Sequence, residues 1–362
     1  MRNEQSMLEV LDAIGKRREE RRNFLRVAGA SAAAVGGLSL LAACGDDNNN
    51  NNGGGTSTPT PTPSGTAITD NDILNFALQL EYLEANYYSY AVFGTAISST
   101  LTGGVGTQGT VATSTTGTPR AVSFTGETVI GQYAREIAAD EIAHVAFLRT
   151  ALGSAAAAQP AINLSGDASG AFTAAARAAG IATTTGALTG TQSATGTFDP
   201  YSSPDAFLLG AFIFEDVGVS AYKGAAPLLT SKTYLEASAG ILAAEAYHAG
   251  LIRTVLYNRG QSNAGLIGAS DAISNARDTL DGAPTDDAIR GIGADDDQGL
   301  SANVQLGTGT ITANLVPTNG NALAYSRTTS QVLHIAYLSA AAGVSAGGFF
   351  PAGVNGSIRI AA

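Results

Sequence analysis

Four segments of the chain place apolar residues at alternating spacings of four and three, which is typical of helices that bury one face in a bundle. They span residues 70–92, 127–152, 203–226 and 232–259. In the second segment this stripe comprises Ile130, Ala134, Ile137, Glu141, His144, Leu148 and Ala151. The pattern predicts an all-α fold, a four-helix bundle with long loops on either side of the second helix.

Local signals mark the ends of these predicted helices. Thr69 with Asp72 three residues later is a capping-box pattern. Ser203 before Pro204 is typical of a helix start, because proline is tolerated in the first turn. Gly153 is a typical residue just beyond a helix end.

Polar residues interrupt the four apolar stripes at matching places. The second and fourth helices carry the same pattern, ExxHxxxxRTxL, which begins at Glu141 and at Glu245. The first and third helices each carry a glutamate followed seven residues later by a tyrosine, in the pairs Glu81–Tyr88 and Glu215–Tyr222. Since four matched polar positions are hard to obtain by chance, the two halves of the bundle form an internal repeat.

Four buried carboxylates are costly unless a cation neutralises them. Two divalent cations would balance four glutamates, and His144 and His248 would add neutral nitrogen donors. Residues three apart share a helix face, so each glutamate–histidine pair can serve one ion. Such ligands favour iron or manganese over magnesium, and ligand type alone also allows zinc. The alternative is a metal-free polar network, in which every member must be hydrogen-bonded.

Segments such as LNFALQLEYLEANYY, DEIAHVAFLRTALG and GGFFPAGVNG resemble the ferritin-like superfamily, and more closely its desiccation-related members. The resemblance covers residues 68–260 as the bundle and extends nearly to the C-terminus. It implies a four-helix bundle around two carboxylate-bridged Fe or Mn ions. The metal ligands that it implies are Glu81, Glu141, His144, Glu215, Glu245 and His248, with Glu141 and Glu245 as bridges.

Glu84 shares a helix face with Glu81 and is therefore a second candidate ligand from the first helix. The internal repeat aligns Glu81 with Glu215 but aligns Glu84 with Gly218. We therefore expect Glu81 to be the ligand and Glu84 to lie behind it.

Other residues near the repeat have two interpretations each. Tyr88 and Tyr222 are either ordinary core tyrosines or catalytic residues that hydrogen-bond to the centre or take part in redox steps. Arg149 and Arg253 are expected to close helix ends or to pair with acids. His334 lies outside the repeat, and we expect it to be a core histidine with satisfied hydrogen bonds.

Residues 1–43 are typical of an export signal, and we do not expect them to be part of the folded domain. A twin arginine, Arg21–Arg22, precedes an apolar stretch that ends at Cys44, and this resembles a twin-arginine signal joined to a bacterial lipoprotein cleavage box. The resemblance implies a protein on the periplasmic side of the cell envelope, held to the membrane by a lipidated Cys44. The alternative is a retained anchor helix. Residues 44–67 are expected to form a flexible linker.

Composition narrows the functional classes. The 362 residues carry a formal net charge of −11, which argues against nucleic acid as a partner because that binding requires neutralising cations. The single cysteine excludes an internal disulfide and a cysteine-based metal site. Asp295–Asp297 lack the spacing of a calcium loop, so a solvated turn is expected. Residues 261–362 are expected to be an extension packed on the bundle, irregular or extended apart from one helix near 328–342.

The residues and the resemblance together imply an exported di-metal protein. Paired redox metals can move two electrons, so we expect an oxidoreductase, ferroxidase- or catalase-like, whose partner is a small oxidant or a metal ion: peroxide, dioxygen or ferrous iron. The competing hypothesis is a non-enzymatic scaffold that protects against desiccation or stress, with a structural metal or none.

Overall fold

A computed structural model describes residues 68–113, 121–181, 196–282, 297–301 and 313–362. The chain divides into two units, Met1–Gly65 and Thr66–Ala362, and the described residues belong to the second. The predicted export signal, Cys44 and the linker up to residue 67 lie outside the described residues. Among the described helices, none is long and apolar enough to cross a membrane.

The described residues are mostly helical, as the sequence predicts. In chain order the helices are α1 (Asp70–Phe93), α2 (Thr128–Leu152), α3 (Ala171–Ala178), α4 (Pro204–Ala225), α5 (Lys232–Gly260), α6 (Ala264–Asp281) and α7 (Thr329–Tyr337). Short 3₁₀ turns occur at Ser99–Leu101, Gly153–Ala155 and Ala226–Leu228. Two short strands, β1 (Val111–Ala112) and β2 (Ile162–Asn163), pair in parallel.

Two of the predicted helices begin at the capping residues that the sequence indicated. Thr69 and Asp72 form a capping box at the start of α1, in which the Thr69 N–H donates to Asp72 Oδ2 at 2.8 Å. The Ser203 hydroxyl accepts from the Ala206 N–H at 3.1 Å, with Pro204 as the first residue of α4. These local bonds satisfy N–H groups that have no partner within the helix.

Helices α1, α2, α4 and α5 form the bundle as two antiparallel pairs. Asn75, near the start of α1, donates to the Ala155 carbonyl just beyond the end of α2, at 3.0 Å. Arg259, at the end of α5, pairs with Asp205 at the start of α4. Each pair therefore places the middle of one helix beside the middle of its partner.

Helices α1 and α4 are buried on nearly every face, whereas α2 and α5 keep an exposed side. The sequence of α4 is apolar around most of its circumference, and α5, α6 and α7 all pack against it. Loop segments and the C-terminus cover α1, where the Asn355 N–H donates to Gln79 Oε1 at 3.0 Å. Polar groups in the middle of α1 and α4 therefore lie in the core.

The C-terminal region is more helical than the sequence indicated. Helix α6 occupies residues for which we predicted irregular or extended structure, and that prediction is wrong. Its buried stripe includes Ser270, Ser274 and Arg277 beside Leu266 and Ile273, so polar residues interrupt the apolar face. Helix α7 begins at the predicted place but ends at Tyr337, because the next residue, Leu338, adopts a left-handed conformation with φ +52°.

Buried ion pairs hold this region together and join it to the bundle, where Arg277 of α6 lies 3.0 Å from Asp216 of α4. Asp297 contacts Arg277 and Arg327 at 2.7 and 2.8 Å, so the solvated turn predicted for this residue is wrong, while Asp295 and Asp296 lie outside the described residues. Arg253 of α5 donates to Asp216 of α4 at 2.7 Å, which confirms the predicted pairing with an acid.

Two further predictions meet different outcomes. Arg149, the counterpart of Arg253 in the repeat, has no acidic partner among the described residues and instead donates to Tyr82 Oη at 2.5 Å and to the Gly103 carbonyl at 2.6 Å. Arg149 thereby connects the loop at Gly103 to α1.

His334 is buried, with Nδ1 2.6 Å from the Ser339 carbonyl, so it is a core histidine with a hydrogen-bond partner, as expected.

Candidate metal centre

The bundle brings six side chains of the repeat together near the middle of its four helices. They are Glu81 of α1, Glu141 and His144 of α2, Glu215 of α4, and Glu245 and His248 of α5. Within α2 and α5 the three-residue spacing puts the glutamate and the histidine on one face. The antiparallel pairing then turns both faces towards the carboxylates of α1 and α4.

The six side chains form two overlapping groups, each with four possible ligand atoms within 4.8 Å of one another. The groups are Glu81, Glu141, His144 and Glu245, and Glu141, Glu215, Glu245 and His248. Glu141 and Glu245 belong to both groups. A carboxylate has two oxygens, so a residue shared in this way can bind one cation through each.

Both imidazoles point a nitrogen at the carboxylates. His144 Nδ1 lies 3.3 Å from Glu81 Oε2 and 3.5 Å from Glu245 Oε1. His248 Nδ1 lies 3.0 Å from Glu141 Oε1 and 3.6 Å from Glu215 Oε2. In each histidine it is therefore Nδ1 that faces the space where a cation would be bound.

The donor set fits a metal centre because the converging atoms lack hydrogen-bond partners. Among the described residues, no hydrogen bond reaches eight buried side-chain atoms of the cluster. They are Glu81 Oε2, Glu141 Oε1 and Oε2, His144 Nδ1, Glu215 Oε2, Glu245 Oε1 and Oε2, and His248 Nδ1. The four glutamates are at most 1% exposed. Buried polar atoms normally form hydrogen bonds, so eight facing atoms without one form a donor set that suits a cation.

The electrostatics of the cluster are those of excess negative charge. Burial, with the neighbouring Glu141 carboxylate, raises the pKa of Glu81 to about 7. Burial and adjacent carboxylates also hold the pKa of Glu245 well above its usual value. Burial alone would raise the pKa of Glu141 too, but two imidazoles beside it lower that pKa to about 2. Without metal, protons must supply the missing positive charge.

The excess negative charge also raises the pKa values of the two histidines. Burial alone would lower the pKa of His248, yet Glu215 and Glu141 raise it to about 12. The pKa of His144 is raised in the same way by Glu141, Glu245 and Glu81, against the effect of burial. Both imidazoles must lose a proton to bind a metal, so cations and protons compete for this site.

The two tyrosines of the repeat contact the centre from opposite halves of the bundle. Tyr88 of α1 donates its hydroxyl proton to Glu215 Oε1 of α4, and Tyr222 of α4 donates to Glu81 Oε1 of α1. Of the two sequence interpretations, the structure therefore favours a hydrogen-bonding role. Each tyrosine occupies one oxygen of a carboxylate and leaves the other, Oε2, to face the cluster.

Glu84 is buried behind the cluster and is not a member of either group of four. It faces Gly218, the residue with which the repeat aligns it. A Cβ atom at Gly218 would lie 3.4 Å from Glu84 Oε1 and only 2.5 Å from Glu245 Oε2. Glycine at this position therefore leaves room for both carboxylates.

Asp140 is a neighbour of the centre that sequence reasoning missed. Its Oδ2 lies 3.2 Å from His248 Nε2, the imidazole nitrogen that faces away from the carboxylates. The sequence shows only that Asp140 directly precedes Glu141. It does not show the contact with His248, because that contact joins two different helices, α2 and α5. The repeat is asymmetric here, since Ala244 precedes Glu245.

Comparison with known proteins places this architecture in a family. The model of the ferritin-like domain family matches residues 69–258, more than half of the 362-residue chain. The chain therefore belongs to the ferritin-like domain family. This match covers α1 to nearly the end of α5, including all six clustered residues.

Part of the chain is also similar to a curated protein. The chain is 32% identical over 138 residues to the desiccation-related protein PCC13-62 of Craterostigma plantagineum. The alignment covers 38% of this chain and spans 42% of the length of that relative. No solved structure matches the chain.

Proposed function

We propose that this protein is an exported di-metal carboxylate protein that binds two iron or manganese ions and acts as an oxidoreductase on dioxygen, peroxide or ferrous iron. The observation that carries the proposal is the pair of overlapping Glu/His groups whose facing atoms have no hydrogen-bond partner. Glutamate and histidine in this mixture suit redox-capable first-row metals.

In this proposal the shared glutamates, Glu141 and Glu245, would hold both ions. Glu81 and His144 would complete one site, and Glu215 with His248 would complete the other. When bound, two such ions would supply one-electron steps that together give or take two electrons.

The surrounding residues fix the ligands and exclude water. The hydroxyls of Tyr88 and Tyr222 each hold one oxygen of a non-bridging carboxylate, which leaves the other oxygen aimed inward. Asp140 accepts from His248 Nε2, so the proton stays on that nitrogen and Nδ1 is left with a lone pair for a metal. The burial of all four glutamates keeps bulk water from the reacting atoms.

A second candidate function follows from the plant relative, whose name ties that protein to desiccation. In this alternative the chain is a non-enzymatic protectant against desiccation or stress, and the metal is structural or absent. Export by a twin-arginine signal and anchoring through a lipidated Cys44 belong to either proposal, since they rest on sequence pattern alone.

Reactivity assays on the full-length, metal-loaded protein separate the two functions. The proposed oxidoreductase oxidises ferrous iron with dioxygen or consumes peroxide, and His248→Ala lowers that rate at least about tenfold because one ion loses its nitrogen ligand. Tyr247→Ala is the matched control, since Tyr247 is 79% exposed and adjacent in sequence. A metal-loaded wild-type protein that is inert towards both oxidants would favour the protectant.

A further inference from the structure

A small apolar cavity lies between α1, α4 and α7, with a volume of about 30 Å³. Leu83, Val217, Val332 and Phe349 are among its walls. Two of these walls belong to the C-terminal region, because Val332 lies on α7 and Phe349 follows it. This region therefore encloses a space beside the bundle core.

The cavity lies next to the metal centre at Gly218. Both Gly218 and Glu84 line the cavity, and a Cβ atom at Gly218 would lie 2.5 Å from Glu245 Oε2. Gly218 therefore borders the cavity and also contacts this carboxylate, and it has no side chain to separate the two. A small molecule in the cavity would thus adjoin the centre.

The size and polarity of the cavity select its occupant. A volume of about 30 Å³ exceeds the roughly 10–15 Å³ that one water needs, but a water also needs two to four polar partners. Glu84 is the one charged group among the residues that line it. A hydrated ferrous ion would lose its water shell without gaining ligands here, whereas dioxygen requires neither hydrogen bonds nor charge.

Charged species have a different approach, on the opposite side of the centre. The Asp140 side chain is 48% exposed and its carboxylate contacts His248, while the His144 side chain is 13% exposed. These residues lie on α2 and α5, the two bundle helices that keep an exposed side. A metal ion approaching from this side meets the partly exposed Asp140 and His144 before the buried glutamates.

We propose that the apolar cavity walled by α7 is the compartment from which dioxygen enters the centre. This inference rests on the proposed oxidoreductase function and assigns its oxidant. In the reaction, two ferrous ions lose one electron each, and dioxygen takes up both electrons and two protons from solvent to leave as hydrogen peroxide.

Substitutions that fill the cavity test this route without touching the ligands. In Val332→Phe a ring occupies the space, so the second-order rate of oxidation of the ferrous-loaded protein by dioxygen falls at least about tenfold. Val354→Phe is the matched control, since Val354 is also buried in the C-terminal region but does not line the cavity. Ferrous uptake without oxygen stays at the wild-type level in both variants. If Val332→Phe fails to fold, Ala336→Leu fills the same cavity from α7.

Xenon binding to the metal-free protein provides a readout that does not depend on activity. Crystals of the wild type and of Val354→Phe under xenon pressure are expected to show the gas beside Val332, and crystals of Val332→Phe are not. Wild-type crystals without xenon at this position would overturn the proposal.

The kinetic outcomes distinguish the route from the function. A folded Val332→Phe protein that reacts with dioxygen at the wild-type rate would overturn the route and leave the oxidoreductase standing. Equal slowing with hydrogen peroxide would overturn the assignment to dioxygen. Xenon in the cavity of a protein whose ferrous centre is inert would refute the oxidoreductase, and with it the oxidant, while supporting the cavity as a site for small apolar molecules.

Discussion

The carboxylates at the centre are buried from water, and the protein supplies too few hydrogen-bond donors to replace it. Glu141 and Glu245 are fully buried, and in the described part of the chain their oxygens accept no hydrogen bond and have only the two imidazoles as oppositely charged neighbours. Glu81 and Glu215 each receive one tyrosine hydroxyl. Such groups bind protons or metal ions in the folded state, because an unpaired buried charge is costly.

Removing one of these hydroxyls is expected to destabilise the protein. In Tyr222→Phe, Glu81 Oε1 loses its donor while remaining buried, so the free energy of unfolding should fall by about 1–3 kcal/mol. Denaturant unfolding measures this change. Tyr247→Phe, at an exposed position, should change it by less than about 0.5 kcal/mol. Equal effects of the two substitutions would show that the Tyr222 hydrogen bond contributes nothing.

Spacing within one helix decides which residues share a face, so the pairs Glu141–His144 and Glu245–His248 were predictable from the sequence alone. That Glu81 and Glu215 join them was an expectation from the internal repeat and the family resemblance. The crossed contacts of the tyrosines and the pairing of Asp140 with His248 were not predictable in this way. They depend on how two helices are rotated and shifted relative to each other, and a pattern within one helix does not contain that information.

At the scale of elements, Gly218 shows how a helix is fitted to the centre. Glycine inside a helix costs roughly 0.5–1 kcal/mol relative to alanine, and α4 carries this cost beside Glu245. The close approach of Glu245 Oε2 explains it, since any larger residue would collide with that oxygen.

Comparing two glycine-to-alanine substitutions tests this explanation. Gly218→Ala should displace the Glu245 carboxylate and weaken binding of the metal pair at least about tenfold, measured by competition with a chelator. Gly240→Ala on α5 is the control, because an added Cβ there meets open space. It should raise the free energy of unfolding by up to about 1 kcal/mol and leave metal affinity unchanged. Wild-type metal affinity in Gly218→Ala would refute the fit between this helix and the centre.

Helix α6 shows where sequence patterning stops being informative. The Arg277 guanidinium is buried on the face of α6 that packs against α4, so a position that normally indicates solvent lies in the core. Its charge is offset by Asp216 and Asp297, at 3.0 and 2.7 Å. Those partners lie 61 and 20 residues away, so the pattern of α6 itself could not reveal that its arginine is buried.

Breaking this network is expected to be costly. Arg277→Met leaves Asp216 and Asp297 buried with less positive charge, so the free energy of unfolding should fall by about 3–5 kcal/mol, measured by denaturant titration. Arg259→Met, whose ion pairs are partly exposed, should cost about 1 kcal/mol or less. A loss at Arg277 no larger than at Arg259 would contradict a structural role for the buried pairs.

At the scale of the whole molecule, the centre links stability to pH. In the metal-free protein, the raised pKa of Glu81, about 7 against 4.5, keeps a proton on the folded chain that the unfolded chain releases. This contribution makes the folded state less stable as pH rises from about 4.5 to 7. His248, with a pKa of about 12 against 6.5, adds stability that is complete below 6.5 and is lost progressively above it.

The melting temperature of the metal-free protein should therefore fall as pH is raised from about 5 to 8. The metal-loaded protein should show no such fall, since bound cations replace the protons and bind better as their ligands deprotonate. Calorimetry on both forms measures the two profiles. A metal-free protein that becomes more stable across this range would contradict the proposed charge state of the centre.

Anomalous X-ray diffraction at the absorption edge of iron or manganese would locate two metal ions bound between Glu141 and Glu245. In crystals of the metal-loaded protein we expect two anomalous peaks about 3.5–4 Å apart, each flanked by one of His144 and His248. Loaded crystals with no anomalous peak among these six side chains would contradict this expectation.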